Sequence, residues 1–310
     1  MPHPTEYSDK TIEPLEPRRL LSSTLLNGML SVVGTDRNDA INVYRAGPAN
    51  LVVRVNGLEQ WYATSTVTGL TIHGLRGSDR IGIAADITLA ATIFAGKGSD
   101  TVWAGSGNDT VHGGTDFDEL RGCAGNDLIF AGDGDDTVGG GRGNDTLDAG
   151  NGDDYVFGGA DHDVLYGYFG DDELDGDDGN DLIYGGADDD TLYGSDGNDS
   201  LFGEGHNDTL WGDDGDDDLD GGDDDDFLHG GDDDDLLVGQ EDDDYMIGGR
   251  GSDRLFGGDG DDTLDGTDNS RHDSLWGNSG DDLLIGDYYY DDYLNDGSGW
   301  DRIEYGIPRW

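Results

Sequence analysis

Nineteen aspartates recur at every ninth residue across one uninterrupted block of the chain, residues 95–265. Carboxylates at such a fixed interval can supply ligands to Ca²⁺, which takes six to eight oxygens at about 2.3–2.6 Å. The spacing therefore predicts a row of equivalent calcium sites rather than one catalytic centre. The predicted ligands are Asp100, Asp109, Asp118, Asp127, Asp136, Asp145, Asp154, Asp163, Asp172, Asp181, Asp190, Asp199, Asp208, Asp217, Asp226, Asp235, Asp244, Asp253 and Asp262.

Each of these aspartates is the sixth residue of a nine-residue unit of the form G-G-x-G-x-D-x-U-x. The eighth position, U, is aliphatic or methionine in every unit, from Val102 to Leu264. Because residues of a strand alternate between two faces, the tripeptide x-U-x predicts a short strand with only U pointing inward. The glycine-rich hexapeptide before it predicts a turn whose backbone visits positive φ.

Three strand residues and six turn residues per unit predict that two units complete one flattened coil, so that alternate units stack. The block then has ten loops on one side and nine on the other, which allows at most about 17 sites between stacked loops. One loop offers too few oxygens for calcium, whereas two stacked loops each supply a carboxylate and two or three carbonyls. Without the ions, carboxylates about 5 Å apart repel one another. Folding is therefore predicted to require calcium.

Exceptions to glycine within the turn indicate which positions have special backbone geometry. At the fourth position six units have Asp and one has His, and these side chains tolerate the left-handed region. The second position accepts a wider range, including Cys123, Tyr168 and Gln240. We therefore predict that the fourth position is held at positive φ and that the second is less constrained. Turns with a substituted second position are predicted to bind calcium more weakly.

The composition is strongly acidic, since 71 acidic and 16 basic side chains give the 310 residues a formal charge of −55. This charge argues against nucleic acid or an anionic membrane as partner, and no apolar stretch of 18 residues indicates a membrane span. The single cysteine allows no internal disulfide. Two alternatives to a calcium-bound fold are an acidic disordered tail and a plain β-solenoid to which calcium is incidental.

No catalytic motif accompanies the repeats. The sequence has neither the H-E-x-x-H of zinc proteases nor the G-x-S-x-G of serine hydrolases. The seven histidines show no recurring metal spacing. The sequence therefore predicts a protein that is not an enzyme.

The chain divides into four regions, residues 1–31, 32–94, 95–265 and 266–310. The first has four prolines within 17 residues and is predicted to be a disordered leader. The second predicts short strands and two degenerate units, with Asp39 and Asp79 at the sixth position. The third contains the regular units. The fourth predicts irregular repeats, in which extra residues precede Asp273 and Asp292, and a C-terminal cap.

The nine-residue unit resembles that of the RTX (repeats-in-toxin), haemolysin-type calcium-binding family. The resemblance implies an all-β fold, a parallel β-roll or calcium-bound β-solenoid with two units per coil, in which the sixth-position aspartates are ligands. It also implies export and folding driven by extracellular calcium. Residues 15–22 resemble the LEPR-xLL motif found near the N-terminus of large surface and secreted proteins of planctomycete-type bacteria. The implied location is extracellular, secreted or on the cell surface.

Three roles remain open: a structural or interaction protein of the surface or matrix, a module associated with a secreted enzyme or toxin of protease, lipase or epimerase type, and a glycan-binding adhesin. The last depends on aromatic residues at the outward ninth position, Tyr166, Tyr184 and Phe202 on one face and Tyr193 and Trp211 on the other. These residues predict stacked rings. The rings either cover the sheet or present a platform to a cell-surface polysaccharide or another surface protein.

Overall fold

The computed structural model describes residues 22–267, 272–287 and 292–306, which form a β-solenoid of two long sheets. The described part is a parallel β-roll with almost no helix, which confirms the predicted fold class. One sheet has 15 strands and the other has 16. The single short helical turn within the described ranges is a 3-10 turn at Thr64–Thr66. No described helix has the length and apolar character needed to cross a membrane.

The strands fall into three groups along the chain. The N-terminal group is β1 (Ser22–Leu26), β2 (Met29–Val33), β3 (Ala40–Arg45), β4 (Asn50–Val55), β5 (Leu58–Ala63), β6 (Gly69–Arg76), β7 (Arg80–Ile83) and β8 (Ala91–Lys97). The regular group is β9 (Thr101–Trp103), β10 (Thr110–Thr115), β11 (Glu119–Ala124), β12 (Leu128–Asp133), β13 (Thr137–Arg142), β14 (Thr146–Asn151), β15 (Tyr155–Ala160), β16 (Val164–Phe169), β17 (Glu173–Asp178), β18 (Leu182–Ala187), β19 (Thr191–Asp196), β20 (Ser200–Gly205), β21 (Thr209–Asp214), β22 (Asp218–Asp223), β23 (Phe227–Asp232), β24 (Leu236–Glu241), β25 (Tyr245–Arg250), β26 (Arg254–Asp259) and β27 (Thr263–Asp265). The C-terminal group is β28 (Ser274–Ser279), β29 (Leu283–Asp287), β30 (Tyr293–Asn295) and β31 (Arg302–Gly306).

Alternate strands belong to opposite sheets from β6 onward, so we call the two sheets the even sheet and the odd sheet. From β6 onward, neighbouring strands within a sheet are parallel, and in the regular group they lie 18 residues apart. Val111 is opposite Ile129 in the even sheet, and Leu120 is opposite Val138 in the odd sheet. This register confirms that two units complete one coil.

The core between the sheets is narrow and continuous. Every eighth-position side chain of the regular block is almost completely buried, as predicted. The strands, however, are longer than predicted: most span six residues, as in β10, and leave a three-residue turn such as Asp116–Asp118. The reason is the alternation of the strand itself. The first position of the next unit lies two residues after the eighth and also points inward, as the buried Ala131 does.

The ordered fold begins earlier than the predicted boundary at about residue 31. Strands β1 and β2 form an antiparallel hairpin in which Leu25 is opposite Leu30, and Asn27 and Gly28 have positive φ in its turn. Leu30 and Val32 are fully buried, so their burial offsets the entropy of ordering this segment. Residues 15–21 of the LEPR-xLL-like motif lie outside the described residues, and the motif stays a prediction.

The two ends of the solenoid differ in construction. At the N-terminal end β4 and β5 continue the odd sheet in antiparallel pairing beyond β3. At the C-terminal end the coil lengthens to 20 and then 19 residues, as the extra residues before Asp273 and Asp292 predicted. Residues 307–310 of the predicted C-terminal cap lie outside the described residues.

Candidate metal-binding ladders

The sixth-position aspartates lie in two columns, one on each edge of the solenoid, and all nineteen are buried. The first column lies where even-sheet strands lead into odd-sheet strands and contains Asp100, Asp118, Asp136, Asp154, Asp172, Asp190, Asp208, Asp226, Asp244 and Asp262. The second column lies on the opposite edge and contains Asp109, Asp127, Asp145, Asp163, Asp181, Asp199, Asp217, Asp235 and Asp253. We call both columns the aspartate ladders. The fold thus brings together residues that are 18 positions apart in sequence.

One carboxylate oxygen of each rung is used to join neighbouring coils. The backbone N–H of each ladder aspartate donates to Oδ1 of the aspartate in the next coil, at 2.6–3.0 Å. The backbone carbonyl of the same residue accepts from the first strand residue of the next coil, as Asp100 accepts from Glu119 at 2.9 Å. Both interactions depend on the stack and are absent from an isolated unit.

In eighteen of the nineteen ladder aspartates, all except Asp253, the second carboxylate oxygen, Oδ2, is buried without a hydrogen-bond partner. A buried polar oxygen without a partner is costly, and an ionised one costs far more. The arrangement repeats from coil to coil along both ladders.

Backbone oxygens surround this unpartnered atom. A Cβ built on Gly113, the first residue of its unit, lies 2.6 Å from Oδ2 of Asp118 and 2.6 Å from the carbonyl oxygen of Ala131 in the next coil. At the fourth position, a Cβ built on Gly98 lies 2.7 Å from the carbonyl oxygen of Gly77 in the coil before. Carboxylate and carbonyl oxygens therefore converge on the space between stacked loops, which is the donor set that calcium prefers.

The described residues contain no group of three or more His, Cys, Asp or Glu side chains arranged to hold a metal. Sites of two carboxylates and several backbone oxygens do not form such a group. The ladders therefore differ from a site built from side chains alone. Within each column, each of the predicted ligands lies beside the aspartate of the neighbouring coil.

Comparison with protein families assigns the nine-residue repeats to a known family. The model of the RTX calcium-binding nonapeptide repeat matches overlapping segments that together run from residue 90 to residue 287, which is more than half of the chain. The chain belongs to the RTX calcium-binding nonapeptide repeat family. A comparison with curated proteins finds no significant match. The matched segments include both aspartate ladders. They begin at residue 90, after the degenerate unit at residues 74–82.

Left-handed backbone geometry occurs at two positions of the RTX turn. The seven non-glycine residues at the fourth position have φ between 70° and 87°, which confirms the prediction for that position. The prediction that the second position is less constrained is wrong, because its seven non-glycine residues have φ between 65° and 92°. The reason is close packing along the axis: a Cβ built on Gly186 lies 2.5 Å from the carbonyl oxygen of Tyr168 in the coil before. Weaker calcium binding by substituted turns stays a prediction.

We expect Gly143→Val to lower the thermal midpoint in saturating calcium by an amount equivalent to about 1–3 kcal/mol, because valine is strained at positive φ. Gly143 is a fourth-position residue with φ of 110°, and an added Cβ meets the backbone of Gly125. Gly139→Val is the matched control, since a Cβ there has no atom within 4 Å. The control is expected to change stability by less than about 0.5 kcal/mol. Equal shifts in the two variants would contradict the turn geometry.

Burial raises the pKa of the RTX ladder carboxyls, because a low-dielectric site disfavours the charged form. The pKa of Asp127 is raised to about 6, that of Asp172 to about 7 and that of Asp235 to about 9. Neighbouring carboxylates add to the effect, as Asp253 and Asp217 do for Asp235. A divalent cation in the same space stabilises the ionised form and so lowers these pKa values. The electrostatics therefore favour either protons or cations between the loops.

A second set of bonds between coils was not predicted from the sequence. The fifth-position side chains accept hydrogen bonds from the following coil: Asp135 accepts from the N–H of Asp153 at 3.3 Å, and Asn108 accepts from Asn126 at 3.0 Å. These bonds run opposite in direction to those of the aspartate ladders. The available signal was the Asn or Asp found at the fifth position of most units. Each turn is thereby tied to both of its neighbours.

The outward aromatic columns are partly as predicted. Tyr166, Tyr184 and Phe202 stack in succession, with ring centroids 5.2 and 5.0 Å apart and rings tilted by only 4° and 15°. Tyr193 and Trp211 are opposite each other on neighbouring strands, but the ring contacts recorded for Trp211 are with Phe227 and His229. A further column, not predicted, contains His73, Phe94, His112 and Phe130 with centroids 4.8–5.0 Å apart. The column that starts at His73 and the column that starts at Tyr166 both cover the even sheet.

Proposed function

We propose that this RTX chain binds calcium ions between successive loops of each ladder and that this binding drives the coils to stack. The observation that carries the proposal is the repeated, buried and unpartnered Oδ2 atom of the ladder aspartates. Two stacked loops supply two carboxylates together with carbonyl oxygens, which approaches the six to eight oxygens that calcium takes. The proposed ligands are the nineteen aspartates of the two ladders, with at most about 17 ions in the regular block.

Calcium fits this donor set better than other common metals. The oxygens are hard ligands, and no histidine or cysteine recurs with the period of the ladders, as zinc or copper sites require. Magnesium is smaller, demands octahedral geometry and retains its water. A cleft lined by backbone carbonyls and two carboxylates can adapt to the larger, more flexible shell of calcium. We therefore expect calcium to fold the chain at concentrations where magnesium does not.

We infer that the protein works outside the cell, as a secreted or surface protein with a structural or interaction role and no catalysis in this chain. A fold that needs many calcium ions suits the millimolar extracellular concentration, where calcium modules with Kd of about 10⁻⁴–10⁻³ M operate. Association with a secreted enzyme or toxin is the alternative role. Use of the stacked Tyr166, Tyr184 and Phe202 column as a platform for a glycan or a surface protein stays a prediction.

The direct test is far-UV circular dichroism of the full chain, titrated from excess chelator to about 10 mM calcium. We expect little β-structure in chelator and a cooperative rise in the β signal with calcium. The physical reason is that ions remove the repulsion between stacked carboxylates and the cost of burying them. Equilibrium dialysis of the same samples gives the number of ions bound per chain.

Magnesium at equal concentration and ionic strength is the control for general screening of the −55 charge. Full β-structure in chelator at neutral pH would show that calcium is incidental to the fold. An equal response to magnesium would reduce the effect of the ions to charge screening. Disorder at 10 mM calcium would contradict the proposal altogether.

A further inference from the structure

The first ladder continues beyond the regular block into the degenerate unit at residues 74–82. Asp79 is 1% exposed, and its N–H donates to Oδ1 of Asp100 at 2.7 Å, as in every regular rung. Its carbonyl oxygen accepts from Thr101 at 2.9 Å. Leu75 and Gly77, at the second and fourth positions, have φ of 88° and 113°. The unit therefore has the full turn geometry of the RTX repeat, although Leu75 replaces its second-position glycine.

The second oxygen of Asp79 is in the same situation as those of the regular rungs. Its Oδ2 is buried and has no hydrogen-bond partner. A Cβ built on Gly74 would collide with this Oδ2 and with the carbonyl oxygen of Ala95, so both atoms face the same space between the loops. The carbonyl oxygen of Gly77 also points toward the next loop, 2.7 Å from a Cβ built on Gly98.

Asp39, one coil earlier in the same column, is different. Its Oδ2 accepts from the N–H of Thr35 at 2.5 Å and from the Thr35 hydroxyl at 3.1 Å. Its Oδ1 accepts from the side-chain amide of Asn56, and the Asn56 oxygen accepts from the N–H of Ala40 at 2.9 Å. Asn56 lies in the turn between β4 and β5 and so takes the place of the missing coil. Protein donors satisfy both carboxylate oxygens of Asp39.

We propose that the calcium column of the first edge starts at Asp79, and that Asp39 instead closes the solenoid as a metal-free cap. This inference rests on the proposed function, since it assigns one more site of the same kind. The site lies between the loops of Asp79 and Asp100 and takes Ca²⁺ through Oδ2 of Asp79 and the carbonyl oxygens of the two loops. Among the described residues, no ladder aspartate precedes Asp109 on the second edge, and the N–H that donates to its Oδ1 belongs to Ala91, at 2.6 Å.

The N-terminal coils have their own means of staying folded without ions. Leu30, Ile41, Leu51 and Val53 are fully buried in a core shared by both sheets and the β4–β5 hairpin. Among the described residues before Asp79, no buried carboxylate oxygen lacks a hydrogen-bond partner. Strands β2–β5 are therefore ordered independently of calcium and present a finished edge on which the first calcium-bound coil, β6–β8, assembles.

Hydrogen–deuterium exchange of the full chain, followed by mass spectrometry across a calcium titration, tests this assignment. In the wild type we expect β2–β5 to be protected in chelator and β6–β8 to gain protection with calcium. Asp79→Asn keeps an Oδ1 acceptor but loses the anionic ligand. We expect it to raise the calcium concentration for half-protection of β6–β8 by about tenfold, because ligand charge sets calcium affinity. Strands β18–β22 should shift by less than twofold.

Asp39→Asn is the matched control, with the same change of charge one coil away. It is expected to reduce the protection of β2–β5 in chelator while leaving the calcium midpoint of β6–β8 unchanged. An unchanged midpoint in Asp79→Asn, with β2–β5 still protected in chelator, would overturn the inference, as would equal shifts in the two variants. Loss of the proposed function has a different signature, since no strand of the wild type would then gain protection with calcium.

Discussion

In excess chelator, the β-structure of this RTX protein is expected to be present at acid pH and to be lost progressively as the pH rises from about 4 through the folded-state pKa values of about 6–9. In the folded chain, burial raises the pKa of the ladder carboxyls from 3.8 to about 6 for Asp199, about 7 for Asp145 and about 9 for Asp235. A group whose folded pKa lies above its unfolded value stabilises the fold fully below the unfolded pKa. That stability is lost as the pH rises through the folded pKa.

The measurement is circular dichroism at 222 nm and 218 nm in chelator between pH 9 and pH 4.5, which avoids the pI of about 4.1. The same titration in saturating calcium is the control and should be flat over the upper part of this range. Calcium affinity should rise with pH over the same interval, because ions and protons compete for the same oxygens. A β signal in chelator that strengthens with rising pH would contradict the buried, metal-free carboxyls described here.

Removing one carboxylate from each column at the same level of the solenoid is expected to weaken a group of sites, so that they are empty at calcium concentrations that fill them in the wild type. In Asp172→Asn/Asp181→Asn the amide oxygen can still accept the inter-coil hydrogen bond from the coil before. The anionic ligand is lost from the sites above and below each residue, so about four ions should be lost per chain. Affinity in these sites should fall about tenfold or more, equivalent to about 1.4 kcal/mol each.

The control is Asp178→Asn/Asp196→Asn, which changes the net charge equally. These two side chains occupy the third position of stacked units and are exposed. Equilibrium dialysis and calorimetric titration with calcium compare the two double variants. The ladder variant should bind fewer ions and need several-fold more calcium to fold, whereas the control should match the wild type. The same ion count in both variants would show that the ladder aspartates are not the ligands.

The prediction from sequence was strongest where one residue type repeats with one period. The nine-residue spacing predicted two units per coil, the burial of the eighth position and the positive φ of residues such as Asp116 and His206, and the structure confirms all three. The prediction was weaker where the backbone conformation of a residue depends on its contacts with the neighbouring coil. Tyr168 and Gln240 were interpreted as signs of a loose second position, yet packing against the coil before holds both at positive φ.

The irregular ends depended on contacts that no local pattern contains. Residues 22–31, which include β1 and the start of β2, were assigned to a leader because prolines dominate the first residues, but Leu30 is fully buried once the two sheets pack together. The contrast between Asp39 and Asp79 depends in the same way on Asn56, a residue 17 positions after Asp39 in the chain. Both aspartates occupy the sixth position of a degenerate unit, and the sequence differs at the fourth position, where one unit has Arg37 and the other keeps Gly77.

The repeat by itself determined the family, the solenoid and the identity of the carboxylates that face the loops, because a fixed period and an alternating strand leave one way to bury the apolar positions. Only the tertiary structure decided how each carboxylate is used. Oδ1 and the carbonyl of a ladder aspartate are satisfied by residues about 18 positions away, whereas Oδ2 is left without a partner. Those donors come from neighbouring coils, and a single unit contains none of them.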